Sequence, residues 1–304
     1  MFKGMERFRY ATTIDLNMGY YSMELSDEAK KLCVICLPWG LYQYNVLPQG
    51  IKPASDIFQQ RMSTMFHDMP AVDIFIDDTI VFGYADFDAH LIDVAEVLNR
   101  LLASGMQVNP DKCYWFQVAV TYLGFYITRE GIKPQQEKIQ GILNMKQPKT
   151  QKDVRRFVGM VNFYRDLYPK RAETLAPLTD LCGHKKKFIW SAAQEQAFQH
   201  MKQIIAQDTM LTYPQFDKPF LIHTDASNKQ IGGVVMQDNK PLGFFSKKLT
   251  DTQRRYPVTE QELLAIVETI KYFKHMLLGH EIIVQTDHKN LTHPTSAHAL
   301  DRVL

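Results

Sequence analysis

The sequence predicts an α/β protein made of two folded parts joined by a helical segment. The first and last thirds alternate β-prone runs with helix-periodic runs, whereas the pattern from Lys133 to Gln207 is helical, with breaks at proline and glycine. The chain has 304 residues, of which 45% are hydrophobic and 22% charged, the profile of a globular protein with room for two domains. We place the boundaries at residues 1–135, 136–210 and 211–304.

The first part opens with a β-prone run, Tyr10 to Leu16, that carries Asp15 close to its end. Two further β-prone runs, residues 33–37 and 41–47, follow it along the chain. They flank Pro38-Trp39-Gly40, and a proline–glycine break between two such runs predicts a hairpin.

A helix follows this hairpin. Pro53 opens it and it extends to about His67, because proline is tolerated in a first helical turn. Two apolar stretches, residues 71–76 and 79–82, then meet across Asp77-Asp78, which predicts a second hairpin. From Phe87 onward, apolar residues recur at helical spacing until Gly105 ends the helix.

The middle of the chain is predicted to be a bundle of connecting helices. Thr150 with Asp153, and Ser191 with Gln194, have the spacing of helix starts in which two side chains cap each other's backbone. The segment is therefore expected to be folded, in contrast to a flexible linker.

The last hundred residues return to strands. A β-prone run from Phe220 to Thr224 leads directly to Asp225. The remaining elements are a hairpin, a long helix and a strand that reaches Asp287, over residues 231–246, 259–278 and 281–286.

Charge and hydropathy narrow the function classes. The formal charge of +2 and the pI of about 8.2 make the chain mildly basic, which allows a nucleic-acid partner without requiring one. No apolar run approaches the roughly 18 residues of a membrane span. The start of the chain lacks the apolar core of a signal peptide, so we expect a cytoplasmic or nuclear protein without membrane association.

The chain has four cysteines, Cys33, Cys36, Cys113 and Cys182. A structural zinc site needs about four ligands, and neither a second cysteine pair nor a nearby histidine cluster supplies them. Cys33 and Cys36 lie in an apolar run, so we expect them to be core residues in a reducing compartment.

Three acidic residues of the first part, Asp15, Asp77 and Asp78, are candidates for a metal site. Aspartate is a favoured turn residue, so Asp77 and Asp78 taken alone are explained by the hairpin. Asp73, Asp77 and Asp78 nevertheless interrupt strands that are otherwise apolar, where carboxylates are costly unless paired or bound to metal. Divalent cations such as Mg²⁺ favour such oxygen ligands, and a pair of them supports phosphoryl transfer.

The same residues carry a family resemblance. Phe75-Ile76-Asp77-Asp78 resembles the Tyr-x-Asp-Asp box of reverse transcriptases, and residues 13–21 around Asp15 resemble their first aspartate motif. Residues 47–51 and 54–59 are similar to the loop and helix that line their nucleotide pocket, and Tyr122 to Phe125 to their primer-gripping hairpin. In the connecting region, two segments resemble the Gypsy-type retrotransposons with long terminal repeats, residues 157–165 and 176–178.

This resemblance implies a reverse-transcriptase palm, then thumb or connection helices, then an RNase H-like domain with a mixed sheet. It implies primed copying of an RNA or DNA template from deoxynucleoside triphosphates, with Mg²⁺ or Mn²⁺ as the cofactor. The implied catalytic metal ligands are Asp15, Asp77 and Asp78. The resemblance also implies that Tyr20 lies under the incoming sugar. Gln49 and Gly50 would line the nucleotide pocket, and Leu123 and Gly124 would hold the primer.

The chain departs from the family in two respects. Phe75 stands where most relatives have tyrosine, so a hydroxyl is lost next to the two aspartates. The family also has a fingers subdomain before its first aspartate motif, and here the chain begins 14 residues before Asp15. We therefore expect the fingers to be missing.

A second set of acidic residues resembles the site of RNase H. Asp225-Ala226-Ser227 resembles the opening strand of that fold, and Thr286-Asp287-His288 its third acidic position. The glutamate of its helix is matched by Glu262, with Glu260 as the alternative. Clustered carboxylates of this kind hold two metals that activate water against an RNA–DNA hybrid. The family's fourth aspartate is expected beyond Leu304, so this domain is expected to be truncated.

Two functions remain open at this stage. One is an RNA-directed DNA polymerase with an attached RNase H-like domain, a segment of a polyprotein that also carries a protease and an integrase. The other is an inactive, truncated retroelement relic with weak nucleic-acid binding at most. Flanking genomic DNA discriminates between them, because an open frame that carries the fingers and the fourth RNase H aspartate would make the chain a fragment of an active enzyme.

Overall fold

The computed structural model of the protein describes residues 8–183 and 187–286. These residues divide into two units, one ending at Arg129 and the other starting at Glu130. No helix in the described part of the chain combines the length and the apolar character needed to cross a membrane.

The first unit contains the strands β1 to β9 and the helices α1 to α3, together with short 3₁₀ turns at Gly19–Ser22 and Pro110–Lys112. Its strands are β1 (Tyr10–Asn17), β2 (Val34–Leu37), β3 (Gly40–Gln43), β4 (Val72–Phe75), β5 (Asp78–Gly83), β6 (Gln107–Val108), β7 (Tyr114–Gln117), β8 (Ala119–Tyr122) and β9 (Phe125–Thr128). Its helices are α1 (Asp27–Leu32), α2 (Ala54–Met65) and α3 (Phe87–Ala103).

The main sheet of this unit is built around β1. Strand β5 runs antiparallel to β1 along most of its length, and β4 continues the sheet on the far side of β5. Strands β6 and β7 pair with the other edge of β1. The two predicted β segments around Asp77-Asp78 are thus confirmed as the hairpin β4–β5, and the run containing Asp15 as a strand at the centre of the sheet.

Helices α2 and α3 supply the apolar side chains that pack with this sheet. Phe58 and Met62 from α2, and Val97 and Leu101 from α3, are fully buried in one core cluster with residues of β1 and β5. Helix α3 starts at the Asp86 cap, and the chain turns at Gly105, which has a φ of +76°. Both helices lie where the sequence predicted them.

The hairpin β2–β3 is confirmed but its burial is not. The two strands pair with each other, as Cys36 opposite Leu41 shows, and their side chains are mostly exposed. The side chain of Cys36 is exposed and Cys33 is half-buried, so the prediction of core cysteines is wrong here. The physical reason is that apolar strand composition fits a two-stranded ribbon as well as a core strand, and only tertiary packing distinguishes them.

The second unit contains β10 to β14 and α4 to α10. Its strands are β10 (Ile132–Pro134), β11 (Phe220–Ala226), β12 (Gln230–Gln237), β13 (Lys240–Lys248) and β14 (Ile282–Gln285). Its helices are α4 (Gln136–Leu143), α5 (Gln151–Phe163), α6 (Arg171–Thr174), α7 (Ala176–Thr179), α8 (Ala192–Ala206), α9 (Val258–Tyr272) and α10 (Lys274–Leu277).

The connecting helices begin as the sequence predicts. Thr150 and Asp153 form a capping box at the start of α5, in which the hydroxyl accepts from one backbone amide and the carboxylate from another. Ser191 and Gln194 form the corresponding box for α8, with the Gln194 side-chain amide oxygen as the second acceptor. Fully buried aromatic side chains, such as Phe157 from α5, make this segment a packed bundle.

A mixed sheet follows in the order β13, β12, β11, β14. The first three strands are antiparallel neighbours, and β14 lies parallel to β11. Helix α9 packs against β11 and β12. Contact is close at Gly233 of β12, where a Cβ atom would come within 2.3 Å of the Thr269 hydroxyl oxygen.

Candidate active site

Three acidic residues of the first unit meet at one end of the main sheet. Asp15 on β1 lies directly opposite Asp78 on β5, and Asp77 precedes Asp78 in the β4–β5 turn. Directly opposed residues of an antiparallel pair have Cβ atoms about 4.5–5.5 Å apart, and like charges in that position repel. The register therefore forces two carboxylates together at the strand ends.

The electrostatics of Asp78 reflect this arrangement. Partial burial raises the pKa of Asp78, and the negative charges of Asp77 and Asp15 raise it further. Among the described residues Asp15 forms an ion pair with Lys112, whose Nζ is 4.0 Å from Oδ1 and whose side chain is well exposed. An exposed pair at this distance contributes little, so the three carboxylates leave an excess of negative charge.

The β4–β5 turn is anchored at two points. The N–H of Ile76 donates to Oε1 of Gln59 on α2 at 2.6 Å, and Nε2 of the same side chain donates to the carbonyl of Ile74 at 3.3 Å. The hydroxyl of Tyr122, at the end of β8, donates to the carbonyl of Asp78 at 3.3 Å. Tyr122 is buried, which raises its pKa and keeps its hydroxyl protonated.

Tyr20 lies in the short 3₁₀ turn that follows β1. Its ring stacks on Phe58 of α2, with centroids 4.7 Å apart and an interplanar angle of 22°. Its hydroxyl lies 3.3 Å from the hydroxyl of Ser55. Gly19 makes this approach possible, because a Cβ atom there would come within 2.9 Å of the Phe58 ring. The aromatic face is therefore held in a fixed position after the Asp15 strand.

The Gln49-Gly50 turn is tied to the same region. The N–H of Leu47 donates to the carbonyl of Met23 at 2.8 Å, which fixes the entry to the turn next to the segment that follows Tyr20. Gly50 has a φ of +92°, and both turn residues are exposed. A glycine with positive φ leaves the backbone open to a ligand at this point.

Leu123 and Gly124 form the tight turn between β8 and β9. Both have a positive φ, +48° and +79°, as the central residues of a type I′ hairpin turn do. The hairpin is attached to the acidic cluster through Tyr122, the residue before the turn. The predicted primer-holding residues are thus one residue away from a direct contact with the Asp78 backbone.

Two of these contacts were not predicted from the sequence. Gln59 lies within the predicted pocket helix and Tyr122 within the predicted primer hairpin, but neither was assigned a role towards Asp77 or Asp78. The only signal was their place inside the motifs, since a hydrogen bond between residues 17 or 44 positions apart leaves no local pattern.

The second acidic set has different surroundings. Asp225, near the end of β11, has a side chain 70% exposed, and one of its oxygens lies 3.6 Å from Nζ of Lys170. Glu262 and Glu260 are both buried on α9. In the register of β11 and β12, Thr224 is the residue opposite Gly233, the glycine that touches α9, so Asp225 leaves the strand on the other face. Asp287 lies outside the described residues.

The donor set of the first site fits a divalent cation. Carboxylate oxygens are the ligands that Mg²⁺ and Mn²⁺ accept, and both the burial and the neighbouring carboxylates that raise the pKa of Asp78 are effects that a bound cation would offset. In residues 8–183 and 187–286, however, no three ligand-type side chains already stand close enough to form a metal centre. The carboxylates are neighbours by register, and metal binding would draw their oxygens together.

Comparison with known proteins matches two parts of this chain to family models. Residues 3–127 match reverse transcriptase (RNA-dependent DNA polymerase), and residues 190–284 match the RNase H-like domain found in reverse transcriptase. The chain is 32% identical over 289 residues, 93% of its length, to a retrovirus-related Pol polyprotein from transposon 297 of Drosophila melanogaster. It is 32% identical over 290 residues to the transposon Tf2-3 polyprotein of Schizosaccharomyces pombe. It spans only 27% and 22% of those two proteins.

Solved structures with the same fold come from foamy virus. The foamy viral protease-reverse transcriptase in complex with RNA/DNA hybrid superposes with a TM-score of 0.84 at 21% identity, over 98% of this chain and 42% of that one. The same viral protein in complex with dsDNA gives a TM-score of 0.82 at 22% identity, over 92% of this chain and 60% of that one. At these identities the likeness concerns the fold.

Proposed function

The chain carries a reverse transcriptase domain followed by the RNase H-like domain found in reverse transcriptases, as in the Pol polyproteins of Gypsy-type retrotransposons, and we propose that its first unit catalyses RNA-directed DNA synthesis. The observation that carries the proposal is the register pair Asp15–Asp78 with Asp77 beside it. Such a site holds negative charge that nothing in the described part of the chain neutralises well.

In this proposal Asp15, Asp77 and Asp78 hold Mg²⁺ or Mn²⁺ through their carboxylates. When bound there, such cations would supply stabilisation of the attacking and leaving oxygens of a phosphoryl transfer. The raised pKa of Asp78 is consistent with this role, because burial and the charges of Asp77 and Asp15 disfavour its charged form and a bound cation would favour it.

The surrounding residues bind and orient the reactants. The Tyr20 ring, stacked on Phe58, presents a flat apolar surface under the incoming sugar and excludes a 2′-hydroxyl by bulk. The exposed Gln49-Gly50 turn lines the nucleotide pocket. The Leu123-Gly124 turn holds the primer end.

The proposed substrates and partners follow from this activity. They are an RNA or DNA template, a primer and deoxynucleoside triphosphates, with protease and integrase segments in a parent polyprotein. The foamy viral relative binds an RNA/DNA hybrid in one structure and dsDNA in another, which supports nucleic acid as the ligand. The reaction would take place in the cytoplasm or the nucleus.

For the second unit we propose cleavage of RNA in RNA–DNA hybrids, with Asp225, Glu262 and Asp287 as acidic ligands of the metals. Support comes from the mixed sheet with its covering helix and from the order of the motifs along the chain. Because Asp225 leaves β11 on the face away from α9, a shared site with Glu262 requires its carboxylate to turn around the strand end when metals bind. Glu262 remains preferred over Glu260 on motif spacing, since both side chains are buried.

Primer extension on an RNA template tests the polymerase proposal. The protein is assayed with Mg²⁺ and with Mn²⁺, beside Asp77→Asn and a charge-removal control, Asp111→Asn, at an exposed position. We expect Asp77→Asn to reduce extension to background, because a metal ligand is lost where charge develops. Extension by Asp77→Asn at the parent rate, or no extension by any form, would count against polymerase activity and favour the inactive relic.

Cleavage of a labelled RNA–DNA hybrid tests the second unit in the same preparation. We expect Asp225→Asn to abolish any cutting, while Asp238→Asn, which removes an exposed charge at the β12–β13 turn, leaves it unchanged. Cutting that survives Asp225→Asn would remove that residue from the site.

A further inference from the structure

The turn that carries Asp77 has an unusual conformation for its sequence. Phe75 pairs with Asp78, so Ile76 and Asp77 are the two central residues of the β4–β5 hairpin. Ile76 has a φ of +59°. A two-residue hairpin turn with a positive φ at the first central position alone corresponds to type II′, which has glycine there, and a β-branched residue in this region is strained.

Two contacts compensate for this strain. The Ile76 side chain packs against the core of the first unit, which a glycine would not do. The backbone is held by the Gln59 side chain, which accepts from the Ile76 N–H at 2.6 Å and donates to the Ile74 carbonyl at 3.3 Å. Gln59 therefore links strand β4, through the Ile74 carbonyl, to the turn, through the Ile76 N–H.

Gln59 is itself held in place. It lies on α2 directly after Phe58, which is fully buried and stacked on Tyr20. Its Nε2 also contacts the hydroxyl of Ser63 one helical turn later, at 3.0 Å. A side chain fixed at both its base and its amide transmits the position of α2 to the turn.

We propose that Gln59 is a positioning residue for the acidic site: its amide holds the Ile76-Asp77 turn in the strained conformation that sets Asp77 and Asp78 beside Asp15. The proposal deepens the polymerase function proposed above and rests on it for its catalytic consequence. Gln59 touches neither metal nor substrate in this account, because its amide is used by the backbone.

Gln59 affects metal binding through the orientation of the Asp77 carboxylate. Without the amide, the turn relaxes away from a positive φ at Ile76 and the Asp77 carboxylate spreads over more orientations. A strained conformation at a functional site persists only when its surroundings determine it, and preorganised ligands bind more tightly for the same contacts. Loss of Gln59 is therefore expected to weaken cation binding more than it weakens folding.

The test measures Mn²⁺ affinity by electron paramagnetic resonance on the 304-residue chain. The variants are Gln59→Leu, Ile76→Gly, the double variant, and Gln60→Leu as an exposed control on the same helix. We expect Gln59→Leu to weaken Mn²⁺ binding roughly tenfold, which corresponds to about 1.4 kcal/mol of binding free energy, because the Asp77 ligand is no longer preorganised. Gln60→Leu should bind as the parent does.

The double variant gives the readout that a purely structural role would not. Glycine adopts a positive φ without strain, so in the Ile76→Gly background Gln59→Leu should cost less than about threefold in Mn²⁺ affinity. In primer extension the Gln59→Leu defect should appear in kcat and in the Mg²⁺ requirement, with a near-parental KM for nucleotide. An equal cost of Gln59→Leu in both backgrounds would overturn the proposal.

The outcome is separable from the polymerase proposal. Parent and Asp77→Asn chains are compared first, and equal Mn²⁺ binding by these two would contradict the metal site itself. In that event the thermal midpoints of the same four variants still decide about Gln59. If the shift in thermal midpoint of the double variant equals the sum of the Gln59→Leu and Ile76→Gly shifts, the proposed role of Gln59 is overturned. A double-variant shift that differs from this sum supports it.

Discussion

The two acidic sets of this chain are organised in different ways. In the first unit, β1 and β5 are adjacent strands whose register places Asp15 opposite Asp78, and Asp77 follows from the turn. In the second, Asp225 is exposed on a strand with Lys170 at 3.6 Å, while Glu262 is buried on a helix. Strand pairing fixes neighbours to within a residue, whereas a strand and a covering helix meet through side-chain packing alone.

This difference has an electrostatic consequence. Partial burial and the neighbouring carboxylates of the first unit raise the pKa of Asp78, so its ionised form lowers the stability of the folded unit unless a cation binds. The exposed Asp225 already has a lysine within ion-pair distance. In the first site the strand register therefore brings the carboxylates together. In the second site their clustering depends on where the individual side chains lie.

Substitution of the two buried glutamates has the largest expected effect on the second site. If Glu262 is the metal ligand, Glu262→Gln should reduce hybrid cleavage to background, and Glu260→Gln should leave most of it. Both changes keep side-chain shape, so thermal unfolding serves as the control for folding. The reverse pattern would assign the role to Glu260, and two silent substitutions would place the site elsewhere.

Sugar selection is the next largest effect and concerns the first site. Tyr20→Ala removes the ring that stacks on Phe58. We expect discrimination against ribonucleotides to fall by roughly 10- to 100-fold, because steric differences in a pocket discriminate between substrates in about this range. Tyr20→Phe keeps the ring and should keep the discrimination. Single-nucleotide incorporation with both nucleotide types measures it, and unchanged selectivity in Tyr20→Ala would remove this residue from the pocket.

Tyr122 tests whether the primer hairpin and the acidic strand act together. Tyr122→Phe loses only the hydroxyl bound to the Asp78 carbonyl, at a cost of about 1 kcal/mol in the free energy of unfolding. We expect a several-fold drop in primer extension, measured beside Tyr126→Phe, an exposed residue of the same hairpin. Equal behaviour of the two variants would show that the bond carries no functional weight.

The smallest expected effect is on the pH dependence of folding stability, to which His90 and the acidic site contribute in opposite directions. Burial lowers the pKa of His90, and the negative charge of Asp93 opposes this shift. Nε2 of His90 lies 3.0 Å from the Thr12 hydroxyl oxygen. The unfolded chain then binds a proton more readily, so stability falls as pH drops below 6.5. Asp78, with a raised pKa, acts in the opposite sense and costs stability as pH rises above 3.8.

Thermal unfolding of the parent and His90→Asn chains across pH 5 to 8 checks this, with the pH range chosen around the ordinary histidine value of roughly 6.5. The acid-side loss of stability should be smaller in the variant. An unchanged profile would assign the loss to other groups.

Much of the fold is readable from local sequence, and the site only in part. The β4–β5 hairpin follows from two apolar runs around Asp77-Asp78, and the starts of α5 and α8 from their capping residues. Cys36 was misjudged, because an exposed ribbon and a buried strand share the same composition. The positive φ of Ile76 was not predicted either, since its sequence contains no glycine and its support comes from Gln59 on another element.

A cation-binding cluster at Asp15, Asp77 and Asp78 is tested by the thermal stability of the parent, Asp77→Asn and Asp111→Asn chains at pH 7, with and without Mg²⁺. Without Mg²⁺ we expect Asp77→Asn to be more stable than the parent, because one of the charges that raise the pKa of Asp78 is gone. Mg²⁺ should stabilise the parent and Asp111→Asn, and it should stabilise Asp77→Asn much less. An Asp77→Asn chain that is less stable without Mg²⁺ and gains as much from it as the parent would contradict a repulsive, cation-binding cluster at Asp15, Asp77 and Asp78.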